Sequence, residues 1–129
     1  KNPIVRNEFK KSLGDHSRIL LVEPLPYNEI VTLMKKCYMV LTDSGGLQEE
    51  APAFGKPVLV LRRTTERQEA LKAGTIKLIG TDPIEIIKKT NEIMSDNEIY
   101  KQMSTSKNPY GDGKSSKRIL NICLNELNI

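Results

Sequence analysis

The chain has no tryptophan, one histidine and two cysteines among its 129 residues. Each scarcity removes a class of function. His16 lies in a polar turn, Gly14-Asp15-His16-Ser17, with no neighbouring ligands to complete a metal site. Cys37 and Cys123 are far apart and match neither a CxxC nor a zinc spacing. Each sits in an apolar helical context and reads as a buried free thiol, as expected in a reducing cytoplasm. No apolar run approaches the roughly 18 residues that a membrane span requires, so no membrane partner is expected. Aromatics make up 5% of the chain, and no basic stripe interleaves with them, which argues against nucleic acid.

What is present is ordinary globular material. Hydrophobic residues make up 38% and charged residues 28%, with a formal net charge of +4. The positive excess is scattered over Lys10-Lys11, Lys35-Lys36, Arg62-Arg63 and Lys88-Lys89, as on solvated helix faces. The length fits one domain, able to bury roughly two thirds of the surface its unfolded chain exposes.

Strand and helix patterns alternate. Asn2 is placed to cap a helix that Pro3 opens and Gly14 ends, with Ile4, Val5, Phe9 and Leu13 as its apolar stripe. A strand is expected at Arg18–Val22, a helix at Tyr27–Cys37 and a strand at Tyr38–Thr42. A helix from about Leu47 to Phe54 contains Pro52, which should kink or shorten it. A strand at Val58–Leu61 precedes a short helix capped by Thr64 or Thr65 and closed by Gly74. A strand at Thr75–Gly80 leads to a helix opened by Asp82-Pro83, with Ile84, Ile87 and Ile93 on one face. Two more helices are expected near Asp96–Thr105 and Lys114–Leu127, the latter with Ile119, Leu120, Cys123 and Leu124 inward. The alternation predicts an α/β fold: a Rossmann-like parallel sheet with helices on both faces. Ligands of such sheets bind beyond the carboxyl ends of the strands. The Ser44 turn, the Glu23–Tyr27 loop and the Arg62–Arg67 loop are therefore expected on one rim.

The sharpest motif is Thr42-Asp43-Ser44-Gly45-Gly46-Leu47-Gln48-Glu49-Glu50, between an apolar run and a helix. Glycines let a ligand approach the backbone, and the first helical amides have no intrahelical acceptor. Such a turn suits a phosphate. Ser44 adds a hydroxyl, and Glu49 or Glu50 could take ribose hydroxyls. The bland alternative is a tight strand-to-helix turn capped by Asp43 or Ser44, since short Gly motifs also occur without a ligand.

The longer string TDSGGLQEEAPAFGKPVLVLRRTTERQEALKAGTIKLIGT strongly resembles the non-hydrolysing UDP-N-acetylglucosamine 2-epimerases. The resemblance extends upstream through Asn2-Pro3-Ile4-Val5-Arg6 and Val22-Glu23-Pro24-Leu25-Pro26-Tyr27. Downstream it takes in Asn108-Pro109-Tyr110-Gly111-Asp112-Gly113-Lys114. It implies the C-terminal half of a two-domain GT-B-type fold. It implies UDP and UDP-N-acetylglucosamine as ligands, no cofactor, a cytoplasmic location, a role in cell-envelope polysaccharide synthesis and a homodimer at full length.

Ser44, Gly45 and Gly46 then match the diphosphate site, and Glu50 the acid that holds the ribose, leaving Glu49 as a solvated helix acid. Arg67 matches an arginine facing the cleft; its bland alternative is an ion pair with Glu66 or Glu69. Leu25 and Ile30 match the uracil pocket but serve equally well as core residues. The Asn108–Gly113 loop reads as structural, with Asp112 or Ser115 capping the last helix.

The family reaction removes the sugar C2 proton, eliminates UDP and adds it back with C2 inverted. An Asp and two Glu of the other domain carry it, with a His-Arg-Arg-Glu-Asn stretch nearby. None of these is in this sequence, so no catalytic residue is expected here and the chain alone is expected to be inactive. Its start, Lys1-Asn2-Pro3, lacks an initiator Met and reads as interior to a longer protein. A family strand that would lie beside Tyr38–Thr42 is also missing, so the sheet is expected to close up, to borrow a strand from another chain, or to be completed by residues outside this chain. The alternatives are the donor-binding half of a glycosyltransferase, a hydrolysing epimerase, and a non-catalytic UDP-sugar-binding module.

Overall fold

The computed structural model describes residues 3–127, and the chain divides into two units, Lys1–Thr32 and Leu33–Ile129. In the first unit, helix α1 spans Pro3–Leu13. Proline suits its first position because no amide is needed there; the capping reading of Asn2 lies outside the described residues. Lys10 and Lys11 occupy the last turn, where cations favour the carbonyl end. The Gly14 amide closes the helix onto the Lys10 carbonyl at 3.0 Å.

Two expectations fail in this unit. No residue of α1 is buried, and Ile4, Val5 and Phe9 are exposed. The segment 18–22 forms no strand, and Leu20 is 84% exposed. An apolar run becomes a strand only when a neighbouring strand takes its amides and carbonyls and something covers its face. Among the described residues, none pairs with it. The loop at 23–26 consequently does not leave the end of a strand. Helix α2, Tyr27–Lys36, follows.

The second unit is built on three parallel strands: β1 (Val40–Thr42), β2 (Val58–Val60) and β3 (Ile76–Leu78), in that spatial order. Val58, Leu59 and Val60 are all fully buried. Successive side chains of a strand point to opposite faces, so both faces of β2 are covered. That is why this strand reads as an unbroken branched apolar run. On one face, Leu59 packs with Ile79, Ile93 and Met103, flanked by Met39, Leu61, Ile86, Ile99 and Tyr100. Each fully buried Leu or Ile contributes roughly 1.5–3 kcal/mol.

Short helices join the strands. Helix α3, Gly45–Glu50, continues as a 3-10 helix over Ala51–Phe54. Pro52 lacks an amide for the α-helical ladder, so the last turn tightens. Gly55 ends it in the left-handed region at φ 65°. Helix α4, Gln68–Ala73, ends likewise at Gly74. Its N-cap is Arg67 with no side-chain capping bond, so the expected threonine cap is absent.

Helix α5, Pro83–Ser95, is capped by Asp82, which accepts from the amides of Ile84 at 2.9 Å and Glu85 at 3.1 Å. Asp96 caps α6, Asn97–Thr105, in the same way. Of the expected α5 stripe only Ile93 is buried; Ile84 and Ile87 are exposed. Ile86, two residues further on than Ile84 and beside Ile87, packs against the core instead. Helix α7, Ser115–Leu127, buries none of its residues. Cys123 is therefore exposed and Cys37 half-buried, not buried as expected. Among the described residues no helix is long and apolar enough to cross a membrane.

Candidate functional site

The parallel register pairs Thr42 with Val60, so β1 and β2 end level with one another. The two loops that leave them start side by side. The Leu61 amide donates to the Thr42 carbonyl at 2.9 Å. The first loop enters α3 through Ser44, whose extended backbone makes it the N-cap. Its side chain makes no capping bond and it is solvent-exposed. Its amide instead donates to the buried Thr42 hydroxyl at 3.0 Å. Gly45 and Gly46 are the first two helical residues, positions whose amides have no acceptor within a helix.

The second loop brings Arg67 over this turn. Its three guanidinium nitrogens face three directions. Nε pairs with Glu49, and Nη1 lies 3.6 Å from Glu66. Nη2 lies 3.7 Å from where a Cβ on Gly45 would be, and the Glu66 carboxylate 3.1 Å from that point. A Cβ on Gly46 would meet the Glu50 carboxylate and the Ser44 hydroxyl, each at 3.9 Å. Ser44, Gly45, Gly46, Glu50 and Arg67 thus converge on one small surface. Glu49, expected as a solvated acid, is ion-paired instead. Glu66 has its carboxyl held below the ordinary value, first by its own backbone amide and then by Arg67 and Arg62, against some desolvation.

Gln48 and Tyr110 have no role of their own in the sequence reading, and Thr65 is expected there only as a helix cap. Gln48 is fully buried; its Nε2 donates to the Ser44 carbonyl at 3.1 Å and its Oε1 accepts from the Thr65 hydroxyl at 2.6 Å. Thr65 in turn accepts from the Arg67 amide at 3.1 Å. Tyr110, in the loop read as structural, buries its hydroxyl without a hydrogen bond of ordinary geometry. Burial raises its pKa, the charges of Glu49 and Glu69 raise it further, and Arg67 and the Ala70 amide oppose them. The Gln48–Thr65 contact joins residues 17 apart in the chain, beyond the reach of local pattern. In the Tyr110 loop, Asp112 caps toward α7, accepting from the Lys114 amide at 3.1 Å and twice from Arg118. Leu25, in the loop before α2, and Ile30, within α2, are half-buried residues of the first unit.

Parallel strands, an amide-bearing turn beyond β1 and an arginine loop beyond β2 define a Rossmann-like α/β unit. Comparison with solved structures places this architecture among the epimerases of the GT-B type. The UDP-N-acetylglucosamine 2-epimerase family model matches residues 1–124, and the chain belongs to that family. The Bacillus subtilis (strain 168) UDP-N-acetylglucosamine 2-epimerase is 50% identical over 92% of this chain. That of Escherichia coli (strain K12) is 48% identical over 92%. The S. aureus MnaA–UDP structure superposes with a TM-score of 0.92 at 52% identity, covering 99% of this chain and 35% of that one. The Neisseria meningitidis UDP-GlcNAc 2-epimerase bound to UDP-GlcNAc gives 0.89 at 46%, covering 96% and 34%. The chain spans about a third of the curated relatives it matches, 31% of the first and 32% of the second.

Proposed function

We propose that this chain is the UDP-binding, C-terminal portion of a non-hydrolysing UDP-N-acetylglucosamine 2-epimerase. The observation that carries the reading is the convergence around Gly45. Arg67 Nη2 and the Glu66 carboxylate stand over Gly45, and the Ser44 hydroxyl and Glu50 carboxylate flank the adjacent Gly46, all beside the amides of a helix start. Three donor types suit a diphosphate, and a neighbouring carboxylate suits ribose hydroxyls. The relatives solved with UDP and with UDP-GlcNAc support the same ligand. The proposed place of Leu25 and Ile30 beside the uracil rests on family resemblance alone.

In this reading the chain holds UDP and stabilises it as it leaves the sugar. Negative charge grows on the diphosphate during elimination, and preset donors oppose that charge without reorganising. Removal and return of the C2 proton need acid–base groups near that carbon. Those groups are proposed to lie in the part of the enzyme outside these residues. A cytoplasmic homodimer that supplies an N-acetylmannosamine donor for envelope polysaccharides completes the proposal.

Titration calorimetry of the 129-residue protein against UDP and UMP tests the assignment. UDP should bind more tightly, because the second phosphate is what the turn and Arg67 reach. Equal affinities would count against it. The chain alone should neither form the manno epimer nor exchange the C2 proton in deuterated water; proton NMR showing exchange would place the acid–base groups in this segment.

A further inference from the structure

The two halves of the site are tied by one buried bridge, Ser44–Gln48–Thr65–Arg67. Gln48 is 0% exposed and Thr65 6%. A buried primary amide is costly unless both ends are paired, and here both are, at 3.1 and 2.6 Å. The amide orientation is fixed. Turned over, Gln48 would set an oxygen against the Ser44 carbonyl oxygen, acceptor against acceptor. The Thr65 hydroxyl is fixed as well: its one proton goes to Gln48, and its lone pair takes the Arg67 amide. Gln68 pins the Thr65 carbonyl from the other side at 2.6 Å. The Thr42 hydroxyl holds the Ser44 amide. The side-chain polar atoms of Gln48 and Thr65 each have a partner, and a paired buried network favours a single arrangement.

Packing alone does not require this chemistry. A methionine fills nearly the volume of a glutamine with no partners to find. What the polar bridge adds is a set spacing. Ser44 is the residue whose hydroxyl and following amides face the proposed diphosphate, and Arg67 carries the guanidinium above them. We propose that Gln48 and Thr65 are positioning residues. They hold the Ser44–Gly46 turn and the Arg67 loop at a separation matched to a diphosphate, so both act on the same ligand. This rests on the nucleotide reading above. The bridge touches no ligand; it acts through Ser44 and Arg67. Its value lies in donors that are in place before the ligand arrives, because small misplacements of such groups lose most of their effect.

The test compares UDP with UMP in calorimetry of the 129-residue protein, with thermal melts alongside. Thr65→Val keeps the shape and removes the hydroxyl; Thr65→Ser restores it. Gln48→Met removes the amide and keeps the length. Thr65→Val and Gln48→Met should each lower UDP affinity roughly tenfold. UMP affinity should change much less, so the UDP/UMP ratio collapses. Thr65→Ser should retain the parent ratio. Adding Arg67→Lys to Thr65→Val should cost little more, because Arg67 is already out of place. Either bridge variant, folded and with an unchanged ratio, overturns the proposal. So does an equal loss for both nucleotides, or unfolding of both variants, which marks the bridge as structural only. A parent protein that binds neither nucleotide is a different failure: it sinks the nucleotide reading itself.

Discussion

Glu49 engages Arg67 through Nε, which turns the far edge of the guanidinium, Nη2, toward Gly45. One helix therefore supplies both the amide turn and the carboxylate that aims the arginine at it. Glu66 lies 3.6 Å from Nη1, so two carboxylates hold the guanidinium while Nη2 is directed over the turn.

Arg67→Lys should reduce UDP affinity by roughly tenfold or more, because an ammonium offers a point charge in place of a planar fork. Glu49→Gln should have a smaller effect, a few-fold loss. The pair is half-exposed, with side-chain exposures of 30% and 38%, and such pairs contribute roughly 0–1 kcal/mol. Calorimetry with both variants checks the order. If Arg67→Lys binds UDP as the parent does, the guanidinium does not reach the ligand.

Two glycines separate backbone strain from crowding. Gly55 has φ 65°, and a Cβ there would sit 3.0 Å from the Ser104 carbonyl oxygen. Gly80 has φ 69° with nothing within 4 Å. Gly80→Ala should cost only the left-handed backbone, about 1 kcal/mol. Gly55→Ala should cost more, roughly 2–3 kcal/mol, since a backbone oxygen cannot swing aside. Urea denaturation of both variants measures the gap. Equal costs would mean that the Ser104 carbonyl relaxes freely.

Asp112 supplies a pH-dependent contribution. Arg118, and then the Lys114 amide, hold its carboxyl below the usual value. A depressed folded pKa gives stability that is present above the unfolded carboxylate pKa of about 3.9 and lost as pH falls through the lowered value. The parent should therefore melt above Asp112→Asn at about pH 7, and the difference should close as pH falls through the lowered pKa. The pair is exposed, so the effect should be small and weaken with salt. A difference that persists in acid would assign Asp112 a role other than this ion pair.

Local signals in this chain were legible and non-local ones were not. Asp82, Asp96, Gly55 and Gly74 each act on residues within one helical turn, and the sequence marks such starts and stops directly. That β1, β2 and β3 run parallel followed from alternation. The strand expected at Arg18–Val22 did not form, because a strand depends on a neighbour that its own residues do not encode. The site residues split the same way. Ser44, Gly45 and Gly46 declared themselves by the turn they make. Gln48 carried no reading of its own, Glu49 read as a solvent acid and Thr65 as a cap. Their partners arrive from the next crossover, beyond the reach of local pattern. The exposed stripes of α1 and α7 show the converse: periodicity states that a face is apolar, not what covers it.

Ser44 and Glu50 separate the phosphate and ribose halves of the proposed site. Both flank Gly46 at 3.9 Å from its would-be Cβ, and the Ser44 side chain caps nothing in α3. Ser44→Ala should therefore leave the melting temperature nearly unchanged. Loss of a hydrogen bond to a charged oxygen is worth roughly 1.5–3 kcal/mol, so UDP affinity should fall ten- to a hundredfold. Glu50→Gln keeps the size of the side chain and weakens its hold on ribose hydroxyls. It should weaken UDP and uridine alike, because both carry the ribose, whereas Ser44→Ala should leave uridine binding unaltered. That contrast identifies which half of the nucleotide each residue meets. Calorimetry with UDP and uridine against both variants reads it directly. If Ser44→Ala weakens uridine as much as UDP, the turn does not face the diphosphate. If Glu50→Gln is silent while Glu49→Gln abolishes binding, the ribose contact belongs to Glu49 and the register assigned to α3 is wrong.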